Sequence, residues 1–230
     1  MNQELQHTYA NRSDALVVRN RVLRNTYWLL ALSMLPTVLG AWIGVQFNFS
    51  FFSGSPGIGL IAFLAIAFGF FFAIEKTKHS GLGVAVLLGF TFFMGLMLSR
   101  LIGHILGFSN GASLIMTAFG GTAAIFAVMA TIATVSKRDF SGLGKWLFAG
   151  VLVLLVALVA NIFLQLPALQ LAISVIAIAI FSAYILYDVQ QVLNGGETNY
   201  ITATLAIYLD VYNIFSNLLA LLGIFGGDRD

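Results

Sequence analysis

The stretch that begins at Leu143 reads LGKWLFAGVLVLLVALVANIFL (143–164), QLPA (165–168) and LQLAISVIAIAIFSAYILYDVQQVL (169–193). Each apolar run exceeds the roughly 20 residues that an α-helix needs to cross the hydrocarbon core of a bilayer. The proline in the link stops the first helix, and the short link makes the second helix run back beside it. These residues predict an antiparallel pair of transmembrane helices.

Five further apolar runs have a similar length and are separated by polar residues, Gly or Pro. The seven predicted spans are Tyr27–Val45, Ile58–Ile74, Gly81–Leu101, Ala112–Val135, Leu143–Leu164, Leu169–Leu193 and Tyr200–Phe225. The 230-residue chain is 60% hydrophobic and 9% charged, whereas soluble domains carry about 25% charged residues. We therefore predict an all-α integral membrane protein, a bundle of seven transmembrane helices without the internal repeat of inverted-repeat transporters.

Polar residues are concentrated before the first span, which predicts an N-terminal tail (1–26), a membrane domain (27–227) and a short C-terminal tail (228–230). Cytoplasmic segments of membrane proteins hold Lys and Arg. A cytoplasmic N-terminus leaves only Arg100 and Arg229 on the other side. The same orientation puts the other nine basic residues on the cytoplasmic side: Arg12, Arg19, Arg21, Arg24, Lys76, Lys78, Lys137, Arg138 and Lys145. We predict a cytoplasmic N-terminus and a periplasmic C-terminus, although six spans and a re-entrant last segment would keep the C-terminus inside.

Several function classes find no support in the sequence. The chain has no cysteine, which excludes disulfides, thiolate catalysis and zinc–sulfur sites. His7, His79 and His104 are scattered without metal-ligand spacing, and no nucleotide-binding fingerprint is present. A net charge of +2 gives no indication of nucleic-acid binding. We predict neither a resident cofactor nor a nucleic-acid partner.

Two acidic residues lie within predicted spans, Asp188 late in span six and Asp210 midway along span seven. An ionised Asp at a helix centre costs about 2.5–3.5 kcal/mol on insertion scales, so such residues usually face the protein interior or a water-filled cavity. Because spans six and seven are antiparallel, the two carboxylates can meet, share one proton and titrate as a unit, as a pH sensor would. The alternative is that Asp210 binds backbone or Asn partners while Asp188 lies in the interfacial zone and pairs with Lys76 or Lys78.

Other polar residues are candidates to support this pair. Asp210, Asn213 and Asn217 are spaced i, i+3 and i+7, which puts them on one helix face that cannot point at lipid. At the end of span two, the nearest charges able to lock or release the pair are Glu75, Lys76 and Lys78. The alternative for these three is a solvated helix flank. Glu197, in the loop after span six, is interpreted as a turn residue.

Glycine spacing predicts where helices pack closely. The pairs Gly40/Gly44 and Gly103/Gly107 match the small-xxx-small pattern that lets two helix backbones approach, and residues 120–124 form a further run of small residues. We interpret these positions as packing contacts rather than ligand sites.

Three segments resemble the Bax inhibitor-1 (transmembrane BAX inhibitor motif) family, in particular its bacterial, YccA-like branch. They are VANIFLQLPAL (159–169), GGETNYI (195–201) and YLDVYNIF (208–215), within a similarity that runs from Val22 to the C-terminus. The resemblance implies a seven-helix fold with the last helix central. It also implies a di-aspartyl sensor, Asp188 and Asp210, that gates a calcium leak as pH changes.

The bacterial branch implies a second role, binding the membrane-anchored protease FtsH and restraining its proteolysis of membrane proteins. We expect this chain to modulate FtsH in a bacterial inner membrane and to bind it through the cytoplasmic N-terminal tail. This role would survive loss of both acids but fail on deletion of the tail.

The alternative is a pH-sensitive cation leak in which Ca²⁺ is the transported ion. Ca²⁺ is a hard cation suited to carboxylate oxygens, so Asp188 and Asp210 are also candidate weak Ca²⁺ ligands. Calcium-leak members place an Arg in span two against the sensor, and this chain offers only Lys76 and Lys78 there. Because Lys lacks the bidentate fork of Arg, latching by a cation is not expected to follow the family pattern.

A third class, an intramembrane aspartyl protease, is suggested by Tyr187-Asp188 followed by an Asp in the next span, which resembles presenilin-like enzymes. The second motif, Tyr208-Leu209-Asp210, lacks the glycines of that class, and no Pro-Ala-Leu motif follows it. We predict that the chain is not an enzyme.

Overall fold

A computed structural model describes the backbone of residues 2–49 and 56–227, and the side chains of residues 18–49 and 57–227. The predicted C-terminal tail, 228–230, lies outside the described residues. The helices are α1 (Asn2–Gln46), α2 (Pro56–Thr77), α3 (Gly81–Leu106), α4 (Gly111–Val135), α5 (Leu143–Leu164), α6 (Pro167–Asn194) and α7 (Tyr200–Gly226). Each contains an apolar stretch long enough to cross a membrane, which confirms the seven-helix membrane bundle.

Helix α1 is longer than the sequence predicts. It begins at Asn2, well before the predicted span at Tyr27. The predicted span begins after Arg24, but Arg favours helix, and its aliphatic stem packs on apolar surface while its head reaches water. A change in polarity therefore did not mark a change in backbone structure.

Helix α7 is the central helix of the bundle, as predicted. It packs against α1, α2, α3, α4 and α6. Its 27 residues span about 40 Å at 1.5 Å per residue, enough to cross a hydrocarbon core of about 30 Å. The side chain of Asn199 caps its first turn, accepting hydrogen bonds from the backbone N–H groups of Ile201 at 2.8 Å and Thr202 at 3.4 Å.

The closest helix contact joins α1 and α3, and small residues permit it. A Cβ atom added to Gly40 would collide with the carbonyl oxygen of Phe92, and one added to Gly95 would collide with that of Thr37. The packing role predicted for Gly40 and Gly44 is confirmed. Gly103 has only an ordinary contact 3.8 Å away, so the same interpretation is wrong for the Gly103/Gly107 pair. Small residues four apart permit close packing only where another helix faces them.

The α5–α6 connection has the predicted hairpin form, with Pro167 as the first residue of α6 and Gln165 ending α5 in the left-handed conformation. Pro is well suited to a first helical turn because its missing N–H would lack a helical partner there. The amide oxygen of Asn161 accepts a hydrogen bond from the backbone N–H of Leu166 at 2.9 Å, and its nitrogen donates to Gln170 at 3.2 Å. Asn161 thus fixes the link from the preceding helix.

The loops α2–α3, α4–α5 and α6–α7 meet at one end of the bundle, which we call the turn end. Asn199 donates a hydrogen bond to the carbonyl oxygen of Lys78 at 2.8 Å, joining the first and third of these loops. The side chain of Arg19 from α1 lies against Gly195 at the end of α6. The turn end therefore gathers segments from the whole chain around the start of α7.

Candidate functional site: an intramembrane carboxyl pair

The antiparallel packing of α6 and α7 brings Asp188 and Asp210 together. Their carboxyl groups are close enough to interact with each other. Asp210 is 4% exposed, whereas Asp188 is partly buried on the side of the turn end. The structure therefore joins the two residues that the sequence singles out.

One oxygen of this pair lacks a hydrogen-bond donor. No donor from the described residues reaches Oδ2 of Asp210, which is fully buried. Two adjacent carboxyl groups attract each other when they share a proton and repel each other when both are ionised. The arrangement can thus convert a change in protonation into a change in the force between α6 and α7.

A cavity of about 230 Å³ at the turn end reaches Asp188. Asp188 and Glu197 contribute carboxyl groups to its wall. The remaining lining residues are Tyr187, Gln191, Gly196, Ala203 and Ala206. The carboxylate of Glu197 accepts a hydrogen bond from the backbone N–H of Asn199 at 2.8 Å, consistent with its predicted turn role. Water and protons have a route to Asp188, while Asp210 lies behind it.

The Asn residues of α7 do not bind Asp210. Asn213 donates to the carbonyl oxygen of Leu209, and Asn217 to that of Asn213, both at 2.8 Å. Both side chains are partly buried, so the polar face of α7 does lie inside the protein. The alternative in which Asn partners satisfy Asp210 is wrong, because each amide donates to its own helix backbone.

The charges at the end of α2 pair with neighbours on the same segment. Nζ of Lys78 lies 2.5 Å from Oε1 of Glu75, and Nζ of Lys76 lies 4.5 Å from the centre of the Phe72 ring. Residues three and four apart are adjacent on a helix surface, so these contacts form locally. Within the described residues, the structure does not bring Glu75, Lys76 or Lys78 to the carboxyl pair, either as a lock or as a partner of Asp188.

Sequence reasoning missed a second polar group, on the opposite face of α7. The hydroxyl groups of Tyr208 and Thr37 are 2.8 Å apart, and both lie within hydrogen-bonding distance of the carbonyl oxygen of Thr91. Tyr212 donates to the carbonyl oxygen of Met94 at 3.3 Å. The available signal was the i, i+4 spacing of the two tyrosines around Asp210. This group fixes α7 to α1 and α3.

The carboxyl pair is a poor resident metal site. Among the described residues, no group of three or more His, Cys, Asp or Glu side chains is arranged to hold a metal ion. Ca²⁺ takes six to eight oxygen ligands, and the pair provides two carboxyl groups. The weak Ca²⁺ site predicted at Asp188 and Asp210 stays a prediction.

A central apolar helix packed against five others, with a carboxyl pair near one end of the bundle, defines a multi-pass membrane protein with an intramembrane ionisable site. The family model described as "Inhibitor of apoptosis-promoting Bax1" matches residues 19–227. The chain belongs to this family, which confirms the resemblance seen in the sequence.

Curated bacterial relatives match nearly the whole chain. An uncharacterized protein of Neisseria meningitidis serogroup A is 37% identical over 226 residues, which cover 97% of this chain and 100% of the relative. The modulator of FtsH protease YccA of Escherichia coli K12 is 39% identical over 214 residues, covering 93% of this chain and 94% of YccA. The corresponding protein of E. coli O6:H1 is named inner membrane protein YccA.

Proposed function

We propose that this chain is a bacterial inner-membrane protein that restrains the protease FtsH. The observation that carries the proposal is the similarity to the E. coli modulator of FtsH, at 39% identity over 94% of that protein. The similarity covers 93% of this chain rather than one motif, which supports a shared role. The proposal needs no enzymatic activity and no cofactor in this chain.

The N-terminal part of α1 is the proposed binding segment for FtsH. Helix α1 runs without interruption from Asn2 to Gln46. A partner bound to residues 2–17 would therefore act directly on a helix that packs against α3, α6 and α7. The distribution of basic residues favours a cytoplasmic position for this segment.

The carboxyl pair is proposed to make this restraint sensitive to pH. Asp188 borders a cavity at the turn end. The carboxyl group of Asp210, on α7, interacts with that of Asp188. Losing the shared proton would put two like charges in contact at the α6–α7 interface, which favours separation of the helices. The pair would thus select between two arrangements of the bundle.

The test is a proteolysis assay with FtsH and a membrane-protein substrate in liposomes, with and without this chain. We expect the wild-type chain to slow substrate degradation and a chain lacking residues 2–17 to lose this effect. Asp188→Asn and Asp210→Asn should keep the restraint but lose its pH dependence. An unchanged degradation rate in the presence of the wild-type chain would refute the proposal.

A calcium leak is the second candidate, favoured by the cavity that Asp188 and Glu197 line. Liposomes that contain a calcium dye and the purified chain would show Ca²⁺ influx that varies between about pH 6 and 8, and that changes in the two Asp→Asn variants. Influx equal to that of empty liposomes at every pH would eliminate the leak and leave FtsH modulation alone.

A further inference from the structure

The α4–α5 connection carries three basic side chains without acidic partners. Lys137 and Arg138 lie in the loop and Lys145 in the first turn of α5, and all three are exposed. None of them forms an ion pair within the part of the chain that the structure describes. Lys76 and Lys78, at the same end of the bundle, contact Phe72 and Glu75. The α4–α5 connection therefore concentrates positive charge that the protein itself does not neutralise.

The backbone of this loop is held in place by one buried side chain. Gln190 of α6 is 5% exposed. Its amide oxygen accepts a hydrogen bond from the N–H of Phe140 at 2.5 Å, and its nitrogen donates to the carbonyl oxygen of Arg138 at 2.7 Å. The loop has a fixed path, with its basic side chains directed outward, so a ligand need not order it first.

The one acidic residue of the loop has a structural role. Asp139 accepts a hydrogen bond from the backbone N–H of Ser141 at 2.9 Å. This bond lowers the pKa of Asp139 below its ordinary value, so the carboxylate stays ionised at neutral pH. It closes the turn without forming an ion pair with its basic neighbours, and the loop keeps an excess of positive charge.

A tryptophan places this charge at the level of the lipid headgroups. Trp146, next to Lys145, is 79% exposed, and Val135 at the end of α4 is 75% exposed. Trp is enriched at membrane–water interfaces, where its ring lies among the headgroups. An exposed Trp beside three cations indicates a partner with both an apolar part and an anionic part.

We propose that Lys137, Arg138, Lys145 and Trp146, which we call the basic loop surface, bind the headgroup of an anionic phospholipid. The Arg138 guanidinium matches a phosphate in the bidentate manner, and the two ammonium groups add charge around it. The proposal is independent of FtsH modulation, because it requires neither the carboxyl pair nor residues 2–17.

Quenching of Trp146 fluorescence by brominated lipids tests the proposal. Trp28→Phe and Trp42→Phe leave Trp146 as the single tryptophan of the chain. This variant is placed in bilayers of phosphatidylcholine mixed with brominated phosphatidylglycerol or brominated phosphatidylcholine. We expect phosphatidylglycerol to be preferred at Trp146 by about fivefold, since each basic residue near a membrane surface contributes attraction to anionic lipid. Brominated lipid in both leaflets makes the result independent of protein orientation.

Two variants and one control locate the preference. Lys137→Gln/Arg138→Gln/Lys145→Gln should abolish it, and because these side chains are exposed the fold should persist. Gln190→Met, which removes no charge, should weaken it by releasing the loop. A Trp42-only protein reports the other end of the bundle and should show no preference.

Three results would overturn the proposal. The first is equal quenching by both lipids in the wild-type loop, and the second is a preference that persists after the three substitutions. The third is loss of the preference on adding inorganic phosphate at constant ionic strength, which would indicate a site for free phosphate instead of a lipid headgroup.

Discussion

Helix α7 presents a hydrogen-bonded face to α1 and α3 and an acidic face to α6. On the first face, Tyr208 and Tyr212 bind hydroxyl and carbonyl groups of the neighbouring helices. On the second, Asp210 lies beside the carboxyl group of Asp188, which borders a cavity. The first face pairs hydroxyl groups with acceptors, whereas the second sets two acidic groups side by side. The first face anchors the helix, and the second is the one that we propose to respond to pH.

The largest expected effect comes from the close packing beneath the anchored face. Gly95→Ala places a Cβ against the carbonyl oxygen of Thr37. This oxygen belongs to the helix backbone, so it cannot move away as a side chain could. We expect a loss of about 3 kcal/mol in the free energy of unfolding, the upper end of the usual cost of overpacking. Thermal unfolding in detergent measures it. Gly69→Ala is the matched control, since no atom lies within 4 Å of the added Cβ; equal effects of both changes would contradict the packing argument.

The next prediction concerns the acidic face. The chain has no cysteine, so Ala206→Cys introduces a single thiol at the wall of the cavity. Ionisation of both carboxyl groups creates repulsion between α6 and α7, so thiol labelling, corrected for the thiol's own ionisation, should become about tenfold faster as pH rises. Asp210→Asn in the same background should make the corrected rate independent of pH. A pH response that persists in that variant would show that another group is the sensor.

A smaller effect is expected at Tyr208, the centre of the anchored face. Tyr208→Phe removes its hydrogen bond to Thr37, while Thr37 keeps the carbonyl oxygens of Ser33 and Thr91 as acceptors. We expect a loss of about 1 kcal/mol, the usual net contribution of one hydrogen bond. A double-mutant cycle with Thr37→Val measures the coupling, and additive effects of the two changes would mean that the hydroxyl contact contributes nothing.

The smallest effect is expected at Asp139, in the α4–α5 loop. Its pKa is lowered from 3.8, so any stability from its turn hydrogen bond is complete above that value and is lost only as pH falls further. Asp139→Asn should therefore leave the pH profile of Ala206→Cys labelling unchanged between about pH 5 and 8. A changed profile would connect the α4–α5 loop to the carboxyl pair.

The fold and the carboxyl pair could be predicted because both depend on features close in sequence. Span length follows from apolar run length, and the antiparallel order of α6 and α7 brings Asp188 towards Asp210. The partners of Lys76 and Lys78 could not be predicted from the sequence, since a Lys side chain can reach partners in several directions. In the structure both side chains contact neighbours on their own segment. Helix α1 continues before the predicted span because charge and helix formation are separate properties.

The sequence by itself determined that this chain crosses a membrane seven times and carries two acids where lipid would not accept them, because the cost of exposing polar groups to hydrocarbon depends on local composition. Only the tertiary structure decided which helices meet closely, that Tyr208 and Thr37 join, and that Gln190 holds a loop 50 residues away in the chain. Those contacts depend on the rotation of each helix about its axis, which is set by packing against all its neighbours together.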